Sequence, residues 1–90
     1  MKTPRVFRRV PPSYSHGKPT KNSILLGLCD NEDKTLYINP KQSDRQMLIT
    51  GIHEAHHYIF PEHSERKVDR DSLLIADVLW KLGYRSKQKE

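Results

Sequence analysis

The chain has a single cysteine, Cys29, so no intrachain disulfide can form. That usage suits a reducing compartment, and the expected location is cytoplasmic. No apolar run approaches the length of a membrane span. The longest, Ile24-Leu25-Leu26-Gly27-Leu28-Cys29, suits a buried strand instead. Met1-Lys2-Thr3-Pro4-Arg5 begins positive but has no apolar stretch behind it, so it does not read as a secretory signal. No membrane partner is expected. Internal repeats are missing as well. With 90 residues, 34% hydrophobic and 30% charged, there is little material for a core. A chain of this length buries roughly 60–65% of its unfolded surface. A bound metal would therefore add stability as well as chemistry.

Acidic residues are missing from the first 23 positions, which carry Lys2, Arg5, Arg8, Arg9, Lys18 and Lys21. Of the net +5, this segment supplies +6 and the remainder −1. Such a segment suits contact with nucleic acid or an acidic protein, through Arg5, Arg8, Arg9, Lys18 and Lys21. A solvated arm explains the same charges, and no aromatic platform or known nucleic-acid motif accompanies them.

Residues 1–22 also hold Pro4, Pro11, Pro12 and Pro19, which exclude a helix or a central strand. Residues 6–10 read as a short edge strand and 11–22 as a long loop. Residues 23–30 form the best strand candidate. The turn chemistry of Asn31-Glu32-Asp33-Lys34 joins it to a partner strand at 36–39, which Pro40 ends. Ser43-Asp44-Arg45-Gln46 has the form of a capping box and starts a helix. Along it Leu48, Ile52, Ala55 and Ile59 make an apolar stripe expected to face a core, and Pro61 stops it. Ser64 caps a second helix. Its core face is expected at Val68, Ile75, Leu79 and Leu82, widened by Leu74, Val78 and Trp80, and Gly83 ends it. The expected organisation is a basic, proline-rich segment at 1–22, a domain at 23–85 and a charged, frayed tail at 86–90. The fold class is α+β: a small antiparallel hairpin or sheet packed on two antiparallel helices.

The first helix carries His53-Glu54-Ala55-His56-His57, a match to His-Glu-x-x-His. Residues four apart share a helix face, so His53 and His57 can reach one Zn²⁺, with Glu54 placed to take a proton from an activated water. A surface helix with scattered polar residues is the bland alternative. A catalytic zinc commonly takes a third protein ligand, and His63, Glu65 and Asp69 all stand close downstream. His63 has the spacing of the metzincin motif, but Phe60 and Pro61 occupy the turn where that motif needs glycine. His56 lies on another face and reads as solvated. His16, Tyr14, Tyr58 and Tyr84 are open candidates for an oxyanion donor. Cys29 reads as a packing residue in its strand.

From Ile52-His53-Glu54-Ala55 through Phe60-Pro61, Ser64-Glu65 and Val68 to Leu79-Trp80-Lys81-Leu82-Gly83-Tyr84-Arg85, the chain resembles small phage and bacterial zincin-like proteins. These are minimal metallopeptidase domains akin to the SprT-like and minigluzincin types. Glu65 and Asp69, four apart at the start of the second helix, resemble the gluzincin arrangement. There a Glu from the following helix is the third ligand, and an Asp one turn on orients a ligating His. The resemblance covers about residues 24–85. It implies Zn²⁺ held between the helices by His53, His57 and Glu65, with Glu54 as the catalytic base. It also implies a peptide or protein substrate, expected along the strand edge near residues 36–39, and a host cytoplasm if the chain is phage-encoded. The alternative is a non-catalytic zinc-containing protein that binds a host protein, or nucleic acid through the basic segment.

Overall fold

Turn chemistry closes the hairpin where the sequence places it. In the computed structural model, which describes residues 2–11 and 26–85, Asp30 Oδ1 accepts from the Asp33 N–H at 3.0 Å. Lys34 takes the left-handed φ of 50° that reverses the chain. The strands on either side are β2 (Gly27–Asp30) and β3 (Thr35–Ile38), paired antiparallel with Cys29 opposite Leu36. A third strand, β1 (Arg5–Phe7), lies parallel to β3 on its other edge, with Val6 also opposite Leu36. The sheet order is therefore β1-β3-β2 and the pairing is mixed. The hairpin alone is antiparallel, and β1 joins it parallel to β3. β1 is also shorter than the expected 6–10 stretch. Residues 23–25 of the expected strand, the loop from 12 onward and the 86–90 tail lie outside the described residues.

Two helices complete the α+β fold: α1 (Asp44–Ile59) and α2 (Glu65–Lys81). Both begin as expected. Ser43 Oγ accepts from the Gln46 N–H at 3.1 Å, and Ser64 Oγ from the Lys67 N–H at 3.2 Å. Gln46 does not return the favour to the cap; its carboxamide lies 3.4 Å from Thr50 Oγ1. Gly83, at φ 99°, ends α2 in a conformation that favours glycine. Among the described residues, no helix is long and apolar enough to cross a membrane.

The layers run sheet, α1, α2. α1 touches β2 and β3 on one side and α2 on the other, whereas α2 packs on α1 alone among the described elements. The contacts Arg45–Asp77, His53–Asp69 and His57–Glu65 pair the start of each helix with the end of the other, so they run antiparallel. α2 comes close because the residues it buries, Val68, Ser72 and Ala76, are short and repeat every four positions. α1 meets the sheet through Thr50 and Glu54, which lie over Gly27. Buried Leu36 and Ile38 supply the apolar part of that contact.

The expected core stripes meet the core only in part: Val68 is fully buried, but most of the other expected positions are not. Leu48, Ile52 and Ala55 are only half-buried, and Ile59 is 44% exposed. On α2, Leu74 is 65%, Val78 50% and Leu82 68% exposed. Trp80 is half-buried, with the Arg85 guanidinium 3.4 Å above its ring. Periodicity identifies an apolar face, but the small residues at 68, 72 and 76 decide which face meets α1.

Two substitutions test this packing. A Cβ at Gly27 would stand 2.6 Å from Thr50 Cγ2 and 2.9 Å from Glu54 Cγ. Gly27→Ala is expected to destabilise the protein by about 1–3 kcal/mol in thermal or urea unfolding. Unchanged stability would mean that β2 does not rest on α1. Ser72 Oγ is buried with no hydrogen-bond partner, so Ser72→Ala is expected to stabilise by about 1 kcal/mol. A loss of stability there would reveal an unseen partner for the hydroxyl.

Candidate metal centre

His53 and His57 stand one turn apart on α1, with their Nε2 atoms 3.2 Å from each other. The short connection after Pro61 brings the first residue of α2 across from them. Glu65 Oε1 lies 3.4 Å from His53 Nε2, and Oε2 lies 3.0 Å from His57 Nε2. The three donors fall within 4.8 Å of one another. At a tetrahedral Zn²⁺ with bonds of about 2.0–2.1 Å, neighbouring donors are about 3.3–3.4 Å apart. The two imidazole nitrogens, 3.2 Å apart, are close to that spacing, and Glu65 approaches each of them through a different oxygen.

Asp69 has a different role. Its Oδ1 lies 3.2 Å from His53 Nδ1, the ring nitrogen turned away from the other donors. A carboxylate beside Nδ1 favours the tautomer protonated there, which leaves the Nε2 lone pair on the cluster side. His63 does not join the group. Its Nδ1 lies 2.9 Å from His56 Nε2, and its ring stacks on Phe60 at 4.5 Å with 6° between the planes. Of the three candidate third ligands, the fold thus brings Glu65 to both histidines and Asp69 behind one of them.

Glu54 is 9% exposed, wedged between α1 and β2 in the cleft that also holds His53, His57 and Glu65. Burial, and then the negative charge of Glu65, push its carboxyl up to about 7 from an ordinary 4.5. A carboxyl poised near neutrality suits a group that must take and return a proton. Cys29 lines the same cleft. Burial, followed by Glu54 and Asp30, raises its thiol to about 11, so at neutral pH it is no thiolate donor.

The tyrosines are placed elsewhere. Tyr58 donates to the Lys2 carbonyl at 2.9 Å and so ties the N-terminal segment to α1. Tyr84 lines a separate groove with Val6, Arg8 and Met47. Tyr14, His16, Lys18 and Lys21 lie outside the described residues. Arg5 and Arg9 lean over the Phe7 ring at 5.9 and 4.3 Å, beside β1 rather than at the cleft.

The strand edge expected at 36–39 belongs to β3, which is paired on both sides and offers no free edge. Among the described residues, the edge beside the site that pairs with no further strand is that of β2. The Asn39 N–H donates to the Leu26 carbonyl at 2.9 Å, so with this register Leu28 and Asp30 also bond inward. Gly27 and Cys29 then turn their N–H and C=O groups outward.

Sequence reasoning also missed a polar row behind the site. Thr50 Oγ1 donates to Gln42 Oε1 at 2.9 Å, and Gln42 Nε2 donates to the Leu26 carbonyl at 3.1 Å. Gln46, Thr50 and Glu54 are spaced by four on one face of α1, and Gln42, just before the cap, extends the polar row that ends at the buried carboxyl. That spacing was the available signal. Comparison with protein-family models, curated proteins and solved structures gives no match, so the functional reading stands on this geometry.

The buried carboxyl destabilises the metal-free protein at neutral pH. Because the folded pKa of Glu54, about 7, lies above its ordinary 4.5, the native state holds this proton more tightly than the unfolded chain does. That contribution is complete below about pH 4.5 and is lost as pH rises through about 7. Glu54→Gln removes the charge, so with chelator present the variant should exceed the parent in stability by about 1–3 kcal/mol at pH 8. The gap should shrink towards pH 5. Urea titrations at the two pH values check this, and a gap that ignores pH would contradict it.

Proposed function

We propose that the protein is a zinc-dependent peptidase, with Zn²⁺ held by His53, His57 and Glu65 and with Glu54 as the proton-transfer group. The observation that carries the reading is the cluster of His53, His57 and Glu65, whose donors lie within 4.8 Å of one another, beside a buried carboxyl. Zinc, when bound, supplies a Lewis acid for the scissile carbonyl and a water made nucleophilic near neutral pH. The chain's own groups supply the rest. Glu54 takes the water's proton on its carboxylate and returns it to the leaving amine. Asp69 keeps His53 in the required tautomer.

An extended peptide can add to the free edge of β2, pairing with the outward groups of Gly27 and Cys29. Beside that edge a pocket of about 430 Å³, walled by Leu26, Ile49 and Leu73, suits an apolar side chain. The rival reading, a non-catalytic zinc protein, calls for a closed shell with His63 as a fourth ligand. The pairing of His63 with His56 favours the open shell instead. Nucleic-acid contact through Arg5, Arg8 and Arg9 would appear as binding that weakens steeply with salt.

His53→Ala and His57→Ala are expected to lose the bound zinc and to melt at lower temperature. Glu54→Gln should keep one zinc per chain and lose about 10²–10⁴-fold in peptide hydrolysis. Zinc content by elemental analysis, with turnover of a mixed peptide library, reads both. A zinc-free wild-type protein would remove the metal reading, and undiminished hydrolysis in zinc-loaded Glu54→Gln would remove the mechanism.

A further inference from the structure

β3 gives out before Pro40, and the Asn39 side chain accepts from the Lys41 N–H at 2.9 Å. That turn swings Gln42 back against the strands the chain has just left. The Gln42 carboxamide nitrogen donates to two backbone carbonyls, that of Leu26 before β2 at 3.1 Å and that of Asn39 after β3. Its oxygen accepts from Thr50 Oγ1 of α1 at 2.9 Å. One side chain thus joins both strands of the hairpin to the helix that carries His53, Glu54 and His57. Asn39 and Thr50 are 3% and 5% exposed, so the clamp is sheltered from water.

The partners dictate the chemistry of the side chain. Carbonyl oxygens only accept, so the amide nitrogen faces them and the Thr50 hydroxyl donates to the amide oxygen. A carboxylate in place of Gln42 could donate to neither carbonyl, and an apolar side chain would leave the Thr50 hydroxyl without this acceptor. The place of the clamp matters as much. The Leu26 carbonyl also takes the Asn39 N–H at 2.9 Å, an inward rung at the end of the hairpin. Gly27, the next residue, lies so close to α1 that an added Cβ would stand 2.6 Å from Thr50 Cγ2. Leu26, Gly27, Thr50 and Glu54 all line the pocket of about 430 Å³. Gln42 therefore fixes the end of β2 at which edge, pocket and buried carboxyl meet.

We infer that Gln42, held by Thr50, is a positioning residue for the substrate. It sets the backbone of β2 at the depth and register in which an extended peptide pairs with Gly27 while one of its side chains enters the pocket beside Leu26. This inference rests on the peptidase reading and extends it to a residue outside the metal donors and the proton-transfer group. An edge that is ordered before the peptide arrives does not have to be ordered on binding, and that difference appears in affinity. Binding through the main chain is made equally in the ground state and the transition state. Loosening the edge should therefore raise KM and spare kcat.

The test is steady-state hydrolysis by the zinc-loaded full chain of the peptide that the wild type cleaves best. Gln42→Met and Thr50→Val remove the clamp with side chains of nearly the same shape. Each should raise KM about 3- to 10-fold, the worth of roughly one hydrogen bond. kcat should stay within about twofold, and zinc content and far-ultraviolet circular dichroism should not change. Thr50→Ser keeps the hydroxyl and should keep the parent KM. Because the two residues form one clamp, the double variant should be no worse than the more affected single one. Two different substitutions guard against one of them failing to fold. An active wild type whose KM ignores both would overturn the inference alone. A fall in kcat or loss of zinc matching the rise in KM would also overturn it, since Gln42 would then support the metal centre and not the edge. A zinc-loaded wild type that cleaves no peptide is a different result: it removes the peptidase reading, and this inference with it.

Discussion

The close seating of α2 on α1 is the contact on which the candidate site depends. Val68, Ser72 and Ala76 are all but completely buried, and none of them is large. A leucine at any of these positions would push the helices apart by more than the tolerance of the donor cluster. Glu65 sits one turn before Val68, and its oxygens are 3.4 and 3.0 Å from the two histidines. An ångström of extra separation would take Glu65 out of range of an ion held at about 2.0–2.1 Å from each nitrogen. The unpartnered Ser72 hydroxyl indicates that small size is what the position requires, since its oxygen gains no hydrogen bond.

The same requirement explains what could and could not be read from sequence. Helix starts were legible because a cap is a local interaction, visible in Ser43 and Ser64 and in the residues three positions on. The clustering of His53, His57 and Glu65 was legible for a similar reason. His53 and His57 share a face by helical period alone, and a short connection leaves Glu65 and Asp69 little choice but to stand opposite. What escaped was everything set by contact between distant segments. An apolar stripe of leucine, isoleucine and valine looks like a core, yet Ile59, Leu74, Ile75, Val78 and Leu82 are exposed, and the close contact belongs to smaller residues. The parallel pairing of β1 with β3 joins segments about thirty positions apart, and no local pattern announces it.

Glu54 shows how stability and chemistry pull in different directions within this small domain. A carboxyl at 9% exposure is the kind of residue a marginal core would exclude. Here the fold is arranged to keep it. Gly27 carries no side chain, which lets β2 lie against it, and the row Gln42, Gln46 and Thr50 ties the same face of α1 to the strands. The result is a carboxyl shifted towards neutrality and a strand edge brought beside the donors. In a chain this short, an ion bound at His53, His57 and Glu65 would offset the cost by joining α1 to α2 at the end where their connection turns.

The two sides of the helical pair thus carry opposite character from one set of constraints. Once short side chains form the seam, the remaining positions of α2 divide around it by helical period. One flank receives Glu65, Asp69 and Leu73, facing the cleft; the other receives Asp71, Ile75 and Val78. Polar donors and apolar ridge are then consequences of the same register, and neither can shift without the other. Among the described elements the sheet does not cover the ridge, because α1 lies between the sheet and α2.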